Sequence, residues 1–259
     1  MTDRSNCVAI LSRNGGPRIA RLGRSQAYDL VMRLPILLWS TALAFISAAA
    51  LQHFVRTADP ALPSAVYCVN IAMRLSVIAY LVILATTVIM RRSPIGKARG
   101  LEPRISALAG TFLVTAIVLF PRRELSLPSA IVSTILILVG DGFAVIILIQ
   151  LRRSFSVMAE ARELVTSGVY RFVRHPLYLA EEIAAIGSVM QFLSPWTAML
   201  LAVHIVFQFR RMWNEEAILS AVFPHYSTYK KKTAQIIPGI YWHPSRVAPN
   251  SRSRSGRPN

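Results

Sequence analysis

The chain has 259 residues, of which 54% are hydrophobic and only 16% are charged, and its mean hydropathy is +0.46. This composition argues against a disordered chain and against a water-soluble globular domain. Lys and Arg number 29 against 12 Asp and Glu, a balance that in a soluble protein would suggest nucleic-acid binding. Cys7 and Cys68 are too few and too far apart for a disulfide framework or a cysteine metal site, and no other metal site is expected.

Apolar runs of membrane length occupy most of the sequence. They cover residues 34–55, 65–90, 105–120, 128–151 and 177–209. About 20 helical residues cross a hydrocarbon core of about 30 Å. The last run contains Ser194 and Pro195 near its middle, and these residue types are typical of a helix N-cap and a first helical position. The sequence therefore predicts an all-α polytopic membrane protein with about six membrane helices, the last two forming a hairpin.

The basic residues alternate between the segments that separate these runs. Residues 1–33, 91–104, 152–176 and 210–259 hold 25 of the 29 Lys and Arg, whereas the intervening loops hold only Arg56, Arg122 and Arg123. This is the positive-inside pattern of a protein with both termini in the cytoplasm, and it argues against nucleic-acid binding because membrane helices separate the charges. The expected membrane is a bacterial inner membrane, with an organelle membrane as the alternative.

The same pattern predicts four parts of the chain. Residues 1–33 are expected to form a cytoplasmic tail, residues 34–151 a membrane region of four helices, residues 152–244 a catalytic region that includes the hairpin, and residues 245–259 a disordered basic tail.

Five ionisable residues lie inside the apolar runs, where a charge is costly unless it is paired or hydrated. They are Arg74, Asp141, Glu181, Glu182 and His204. Such residues are candidates for function. The structural alternatives are that Arg74 and Asp141 pair or reach an interface, and that His204 only packs. The adjacent Glu181 and Glu182 are expected to point to different sides of their helix.

Gly140 and Gly142 flank Asp141 inside the fourth run. No alternating strand and helix pattern surrounds them, so a nucleotide-binding loop is not favoured. We expect the two glycines to allow close packing between helices.

Two polar segments of the C-terminal third carry side chains suited to binding and catalysis. In residues 162–178, Gly168 predicts a turn and Pro176 the first position of a helix, so that His175 lies at a positively polarised helix start. The second segment, residues 210–240, follows the predicted hairpin. Because a hairpin returns the chain to the side from which it came, the two segments should meet at one face of the membrane.

Four motifs occur in these segments: L-V-T-S-G-V-Y at 164–170, R-H-P-x-Y at 174–178, R-x-x-x-E-E at 211–216 and F-P-x-Y-x-x-Y at 223–229. In this order they resemble the integral-membrane isoprenylcysteine carboxyl methyltransferases and the related phospholipid methyltransferases. The resemblance covers under a third of the chain. The sequence departs from the family pattern at Ala180, where glycine is usual, and at Glu181 and Glu182, where apolar residues are common.

The resemblance implies an S-adenosylmethionine-dependent methyltransferase that acts on a lipid-like or isoprenoid acceptor. It implies catalytic roles for His175, Arg211 and Glu215, with Glu215 holding the cofactor and Arg211 binding an acceptor carboxylate. The cofactor-binding residues that it implies are Glu163, Leu164, Val165, Tyr170, His175, Pro176, Leu177, Tyr178, Glu215 and Glu216.

Several alternatives remain at this point. An amine or phenol acceptor would need a base, for which His175, Glu181 and Glu182 are candidates. Arg211 and Glu215 have the spacing of an exposed helix ion pair, and Tyr226 and Tyr229 suit membrane-interface anchors. A sterol-type membrane reductase that uses NADPH, and a non-enzymatic membrane scaffold or sensor, are the other functions considered. The expected partners are membrane lipids and a lipophilic acceptor, and the oligomeric state is left open.

Overall fold

The computed structural model describes residues 33–239 and the backbone of residues 19–20. The predicted tails, 1–33 and 245–259, therefore lie almost wholly outside the described residues. The helices of the described part are α1 Leu34–Thr57, α2 Ser64–Met90, α3 Glu102–Phe112, α4 Leu127–Leu151, α5 Pro176–Met190, α6 Pro195–Val222 and α7 Tyr226–Lys232. Short 3-10 helices cover Leu113–Leu119, Arg152–Ser154 and Gly168–Arg171.

Among the residues that the structure describes, four helical segments are long and apolar enough to cross a membrane. They are Leu34–Thr57, Ser64–Met90, Glu102–Leu119 and Leu127–Ser154. Large apolar side chains such as Phe45 and Leu119 project from them into the surroundings, which suits contact with lipid. The prediction of an all-α polytopic membrane protein is confirmed. The remaining predicted pair is present as α5 and α6, and α5 has only 15 residues, about 22 Å of helix rise.

A capping box begins α6 and separates it from α5. The Thr197 amide donates to Ser194 Oγ at 3.2 Å, and the Ser194 amide donates to Thr197 Oγ1 at 2.9 Å. Pro195 is the first helical residue, where its missing N–H costs nothing. The predicted break in the last apolar run is therefore confirmed.

The loops sort to two ends of the helix bundle. At one end, the Arg123 amide donates to the Gln191 carbonyl at 2.9 Å. At the other, the Arg92 amide donates to the Arg153 carbonyl at 2.9 Å. We call the latter the site end and the former the opposite end. The alternation of basic loops predicted from the sequence matches these two ends.

A three-stranded antiparallel sheet ties the loops of the site end together. Its strands are β1 Ile19–Ala20, β2 Gly96–Ala98 and β3 Glu160–Ala161, in the order β1-β2-β3. Ile19 pairs with Ala98, and Gly96 pairs with Ala161. The sequence analysis did not predict these strands because two or three residues are too few for a visible alternation.

Helices α4 and α5 pack closely at Gly140. A Cβ atom there would lie 2.5 Å from the Ala184 amide nitrogen and 2.7 Å from the Ala180 carbonyl oxygen. Farther along the same interface, Ser133 Oγ donates to the Gly187 carbonyl at 2.7 Å. The expectation of close packing is thus confirmed for Gly140. It is wrong for Gly142, where an added Cβ would meet no atom within 4 Å.

A buried ion cluster centred on Glu216 holds the site end of α6, beyond its apolar half. Glu216 Oε1 lies 2.6 Å from Arg174 Nη1 and 3.2 Å from His175 Nε2, and Oε2 lies 2.6 Å from Lys230 Nζ. Burial alone would raise the pKa of Glu216, but the bond to His175 and the charges of Lys230 and Arg174 outweigh it and lower the pKa to about 2. The cluster joins α6, α7 and the segment before α5.

Main-chain hydrogen bonds reinforce this junction. The Arg174 amide donates to the Ala234 carbonyl at 2.8 Å, and the His175 amide donates to the Gln235 carbonyl at 3.0 Å. His175 is therefore held by both its backbone and its ring.

Replacing the two glycines separately should distinguish packing from helix propensity. We expect Gly140→Ala to destabilise the protein by about 1–3 kcal/mol, because its Cβ overlaps the α5 backbone. Gly142→Ala is the matched control, and it should be neutral or stabilising by up to about 1 kcal/mol because alanine favours a helix. Thermal unfolding in detergent measures both, and equal melting temperatures for the two variants would contradict the packing assignment.

The Glu216 cluster should make stability depend on pH. Because the pKa of Glu216 is lowered on folding to about 2, its contribution is present above the unfolded-state value of about 4.3 and is lost as the pH falls from there through about 2. We expect Glu216→Gln to cost about 3 kcal/mol at pH 7. Between pH 7 and pH 3, the melting temperature should therefore fall farther for the wild type than for the variant. Equal falls for the two proteins would contradict the stabilising role of the cluster.

Candidate active site

A cavity lies at the site end, between residues 151–178 and the last turns of α6. We call it the site cavity. The predicted residues that line it are Glu163, Leu164, Val165, Tyr170, His175, Leu177, Tyr178, Arg211 and Glu215. Pro176 and Glu216 do not line it. Pro176 is the first residue of α5, and Glu216 contacts the His175 ring without reaching the cavity. The two polar segments of the sequence therefore meet around one cavity.

Tyr178 and Glu215 join the two helices of the hairpin. The Tyr178 hydroxyl donates to Glu215 Oε2 at 2.7 Å. The Arg211 guanidinium lies 4.7 Å from the centre of the Tyr178 ring, donates from Nε to the Val157 carbonyl at 3.1 Å, and is only 3% exposed. In the described part of the chain, Arg211 and Glu215 form no ion pair, so the exposed-pair alternative is wrong.

Aromatic side chains surround the loop that precedes α5. The His175 ring packs edgewise on Tyr178, with ring centres 5.3 Å apart. Tyr229 donates from its hydroxyl to the Tyr170 carbonyl at 2.6 Å, and Tyr226 is almost fully buried. The two tyrosines of the last motif are thus packing residues of the site and not interface anchors. Burial, followed by the nearby Glu215 carboxylate, raises the pKa of Tyr170, so its phenol stays protonated.

A second ion pair forms the wall of the site cavity. Arg162 and Glu160 approach to 2.6 Å, and both side chains are nearly inaccessible. Glu163 lies at the half-exposed rim, where Arg92 Nη1 is 2.6 Å from its carboxylate. Seven lining residues lie outside the four motifs and were not predicted: Leu151, Ser154, Phe155, Ser156, Glu160, Arg162 and Leu219. Of these residues, only Leu219 could have been expected from the sequence, because it lies one helical turn after Glu215.

A second, larger cavity of about 440 Å³ lies within the helix bundle. We call it the membrane cavity. Its wall is mainly apolar, with polar side chains Arg74, Tyr80, Asp141, Glu181, Gln208 and others. Glu181 accepts a hydrogen bond from the Tyr80 hydroxyl at 3.0 Å and from Gln208 Nε2 at 3.3 Å.

The other intramembrane charges have separate surroundings. Glu182 Oε1 lies 3.0 Å from His204 Nε2, so the two adjacent glutamates have different partners, as predicted. The Arg74 guanidinium lies 4.8 Å from the centre of the Phe54 ring. Arg74 and Asp141 form no ion pair in the residues that the structure describes, which rules out their pairing as the reason for either charge.

The two cavities come close to each other at Arg211 and Gln208 of α6. Arg211 lines the site cavity, and Gln208, one turn earlier on α6, lines the membrane cavity. Arg211 Nη1 lies 3.5 Å from Gln208 Oε1. Gly110 on α3 makes room for this amide, because a Cβ there would lie 3.0 Å from Gln208 Oε1. Groups bound in the two cavities can therefore approach each other at this point.

Comparison with known proteins identifies the same part of the chain. Residues 128–225, from the start of α4 to the residue before α7, match the family described as Phospholipid methyltransferase. The chain is similar to Protein-S-isoprenylcysteine O-methyltransferase A of Arabidopsis thaliana, with 31% identity over 135 residues, which cover 49% of this chain and 68% of the relative.

A second relative is Protein-S-isoprenylcysteine O-methyltransferase of Schizosaccharomyces pombe. It is 37% identical over 101 residues, which cover 36% of this chain and 42% of the relative. Together with the four membrane-crossing segments and the family match over α4 to α6, these similarities show that the chain belongs to the isoprenylcysteine and phospholipid methyltransferase family and is an integral-membrane methyltransferase.

Proposed function

We propose that this enzyme binds S-adenosylmethionine in the site cavity and transfers its methyl group to a lipophilic acceptor, of lipid or isoprenoid type, in the membrane cavity. The observation that carries the proposal is the contact between Arg211 and Gln208, where the two cavities meet. A polar cofactor and an apolar acceptor need different binding environments, and the two cavities provide them. Methyl transfer requires the reacting groups to meet in line, which a junction of this kind allows.

The side chains of the site cavity suit S-adenosylmethionine. Glu215 offers a carboxylate to the ribose hydroxyls or the amino group. Arg174 Nε is buried and has no hydrogen-bond partner among the described residues, so it is available to a carboxylate such as that of the methionyl group. Tyr170 and Tyr178 offer ring faces to a purine.

The chain's own residues do little covalent chemistry in this reaction. When bound, the cofactor supplies a methyl group already activated on a sulfonium. Glu215, fixed by Tyr178, orients the cofactor, and His175, fixed by Glu216, holds the loop that closes the cavity. Arg211 stands between the cavities. The family resemblance implies that it binds an acceptor carboxylate, which is ionised at neutral pH and needs no base.

The membrane cavity supports entry of the acceptor from the bilayer. Ile46 of α1 and Val118 after α3 line it and are also exposed on the outer surface of the bundle. Nearer the site end, Trp39 and Phe112 pack edge to face across the same two helices, with ring centres 5.1 Å apart. We therefore propose a lateral opening between α1 and α3, through which a lipophilic molecule enters.

The distribution of Lys and Arg supports an orientation with the site end in the cytoplasm, and with it both termini. The proposed location is the inner membrane of a bacterium, although the two relatives are eukaryotic proteins. The division into residues 34–151 and 152–244 is also proposed here. The site cavity supports it, because residues 151–229 supply its lining.

Ligand-induced stabilisation should identify the cofactor. We expect S-adenosylhomocysteine to raise the melting temperature of the purified protein in detergent, by an amount equivalent to about 2.7 kcal/mol at a concentration 100 times its Kd. NADPH should leave the melting temperature unchanged. A shift with NADPH alone would favour the sterol-type reductase, and no shift with either ligand would favour the scaffold or sensor.

Neighbouring residues of α6 provide matched variants for the two proposed roles. Glu215→Gln should weaken S-adenosylhomocysteine binding about tenfold, because a charge-assisted hydrogen bond is lost. Arg211→Ala should keep that affinity but lower kcat, since Arg211 stands at the junction. Arg210→Ala is the control, because Arg210 is half exposed and pairs with Glu102 outside both cavities.

Isothermal titration and single-turnover kinetics measure the two quantities. Equal losses of cofactor affinity in the Glu215 and Arg211 variants would contradict the division of roles.

A further inference from the structure

Two arginines line the membrane cavity at its end remote from the transfer site. Arg74 belongs to α2, and Arg122 lies in the loop that precedes α4. The transfer reaction, as proposed above, uses neither of them. A guanidinium beside a mainly apolar cavity is costly unless an anion or water compensates its charge.

The side chain of Arg74 reaches toward the opposite end of the bundle. Arg74 lies ten residues after Ser64, the first residue of α2, which corresponds to about 15 Å of helix rise. Helix α2 ends at Met90, beside the site end, so its N-terminus lies at the opposite end. Side chains of a helix point toward its N-terminus.

An aromatic pair marks the level of this guanidinium. It lies 4.8 Å from the centre of the Phe54 ring, and Phe54 is three residues before the end of α1. Phe54 stacks on Tyr67, with ring centres 5.6 Å apart. Because both rings belong to the helix ends that flank the loop between α1 and α2, the charge of Arg74 lies near the opposite membrane surface.

Neutral groups hold Arg122 at the same end. Its Nη2 donates to Gln191 Oε1 at 2.6 Å, and its guanidinium lies 5.7 Å from the centre of the Phe192 ring. Gln191 is itself fixed, since its Nε2 donates to Ser133 Oγ at 3.2 Å. Gln191 and Phe192 also line the membrane cavity. Arg122 is therefore part of the mouth of the cavity at the opposite end.

The two positive charges have no carboxylate partner in the described part of the chain. Arg74 and Arg122 form no ion pair there, and Arg74 Nε is buried without a hydrogen-bond partner. Arg122 acts on Arg74 as a like charge. Two like charges at one cavity repel each other unless an anion lies between them.

The carboxyl groups of the membrane cavity lie in its other half. Asp141 is fourteen residues after Leu127, the first residue of α4, or about 21 Å of helix rise from the opposite end. Glu181 is five residues after the start of α5 at the site end, where Arg211 and His204 act on its charge. An anion that enters the cavity is therefore drawn to the mouth formed by the two arginines.

The wall beside this mouth suits a hydrocarbon chain. Val77 lies about one helical turn after Arg74, and Ile46 and Val118 belong to the same wall. Ile46 is 60% exposed and Val118 is 66% exposed, so this part of the cavity is open toward the bilayer. A lipid can thus reach the arginines without leaving the membrane.

We propose that Arg74 and Arg122 bind the phosphate head of an anionic lipid from the leaflet at the opposite end, and that the hydrocarbon chain of this lipid lies in the membrane cavity. The site is separate from the transfer site and does not depend on the proposed reaction. A guanidinium binds phosphate through paired N–H donors, and two guanidiniums balance the charge of one phosphate.

Amphiphiles of one chain length test the site. Hexadecyl phosphate, hexadecanol and inorganic phosphate are added separately to the purified protein in a non-ionic detergent, and the melting temperature is measured. We expect hexadecyl phosphate to raise the melting temperature of the wild type, and hexadecanol to raise it less, because only the first offers an anion to the arginines. Inorganic phosphate should leave it unchanged, because it has no chain.

Three variants locate the binding of the head. Arg74→Gln and Arg122→Gln should each weaken hexadecyl phosphate binding about tenfold, because a charge-assisted contact is lost. Arg123→Gln is the matched control: it removes a positive charge from the same loop, outside the cavity lining, and keeps the main-chain bond to Gln191. It should bind hexadecyl phosphate as the wild type does. Hexadecanol should bind equally to all variants, which a collapse of the cavity would prevent.

The inference is overturned if hexadecanol stabilises the wild type as much as hexadecyl phosphate does, or if Arg123→Gln weakens binding as much as the two other substitutions. Stabilisation by inorganic phosphate equal to that by hexadecyl phosphate would show a site for a free anion and would also overturn it. Circular dichroism verifies that each variant is folded. A missing response to S-adenosylhomocysteine would refute the proposed cofactor instead and would leave the lipid site standing.

Discussion

The hydrogen bond from Tyr178 to Glu215 depends on one constraint, the fold-back of α6 along α5. The capping box at Ser194 and Thr197 stops the apolar run and starts a new helix at Pro195. Without it, one continuous helix would carry the two polar segments away from each other. Because α6 is 28 residues long and α5 only 15, α6 extends past the start of α5. This excess length carries Arg211, Glu215 and Glu216 to the loop that contains His175.

Charges are balanced differently in the two cavities. Around the site cavity, buried carboxylates have protein cations: Glu216 has Arg174 and Lys230, and Glu160 has Arg162. Removing one partner of such a pair leaves an uncompensated charge, so these contacts fix the loops rigidly. In the membrane cavity, Glu181 accepts hydrogen bonds from the neutral Tyr80 and Gln208, and Asp141 forms no ion pair with any described residue. The protein thus pairs its carboxylates directly around the proposed cofactor cavity, and leaves Asp141 without a direct partner in the proposed acceptor cavity.

The helices and most of the residues that line the site cavity could be predicted from the sequence, because both are marked by local sequence patterns. The apolar runs mark α1 to α6, and the residues 162–178 and 211–229 contain motifs whose order identifies the site. The sequence did not predict the contribution of residues 154–160, because β3 and the turn before it have no periodicity and take their position from pairing with Gly96 and Lys97. The difference between Gly140 and Gly142 was also out of reach, since it depends on which side of α4 meets α5. The cofactor roles of the site residues stay predictions.

The membrane cavity could not be predicted, because a cavity is a property of six packed helices and not of any one of them. Its polar residues were visible only as isolated exceptions in apolar runs. The packing of the helices decides between the alternatives for these residues. Arg74 and Asp141 could have formed an ion pair, but the structure holds them apart at different depths. Glu181 and Glu182 looked equivalent in the sequence, yet one faces a cavity and the other a histidine. An intramembrane charge therefore indicates function most strongly when the fold supplies space beside it and no partner, and Asp141 meets both conditions.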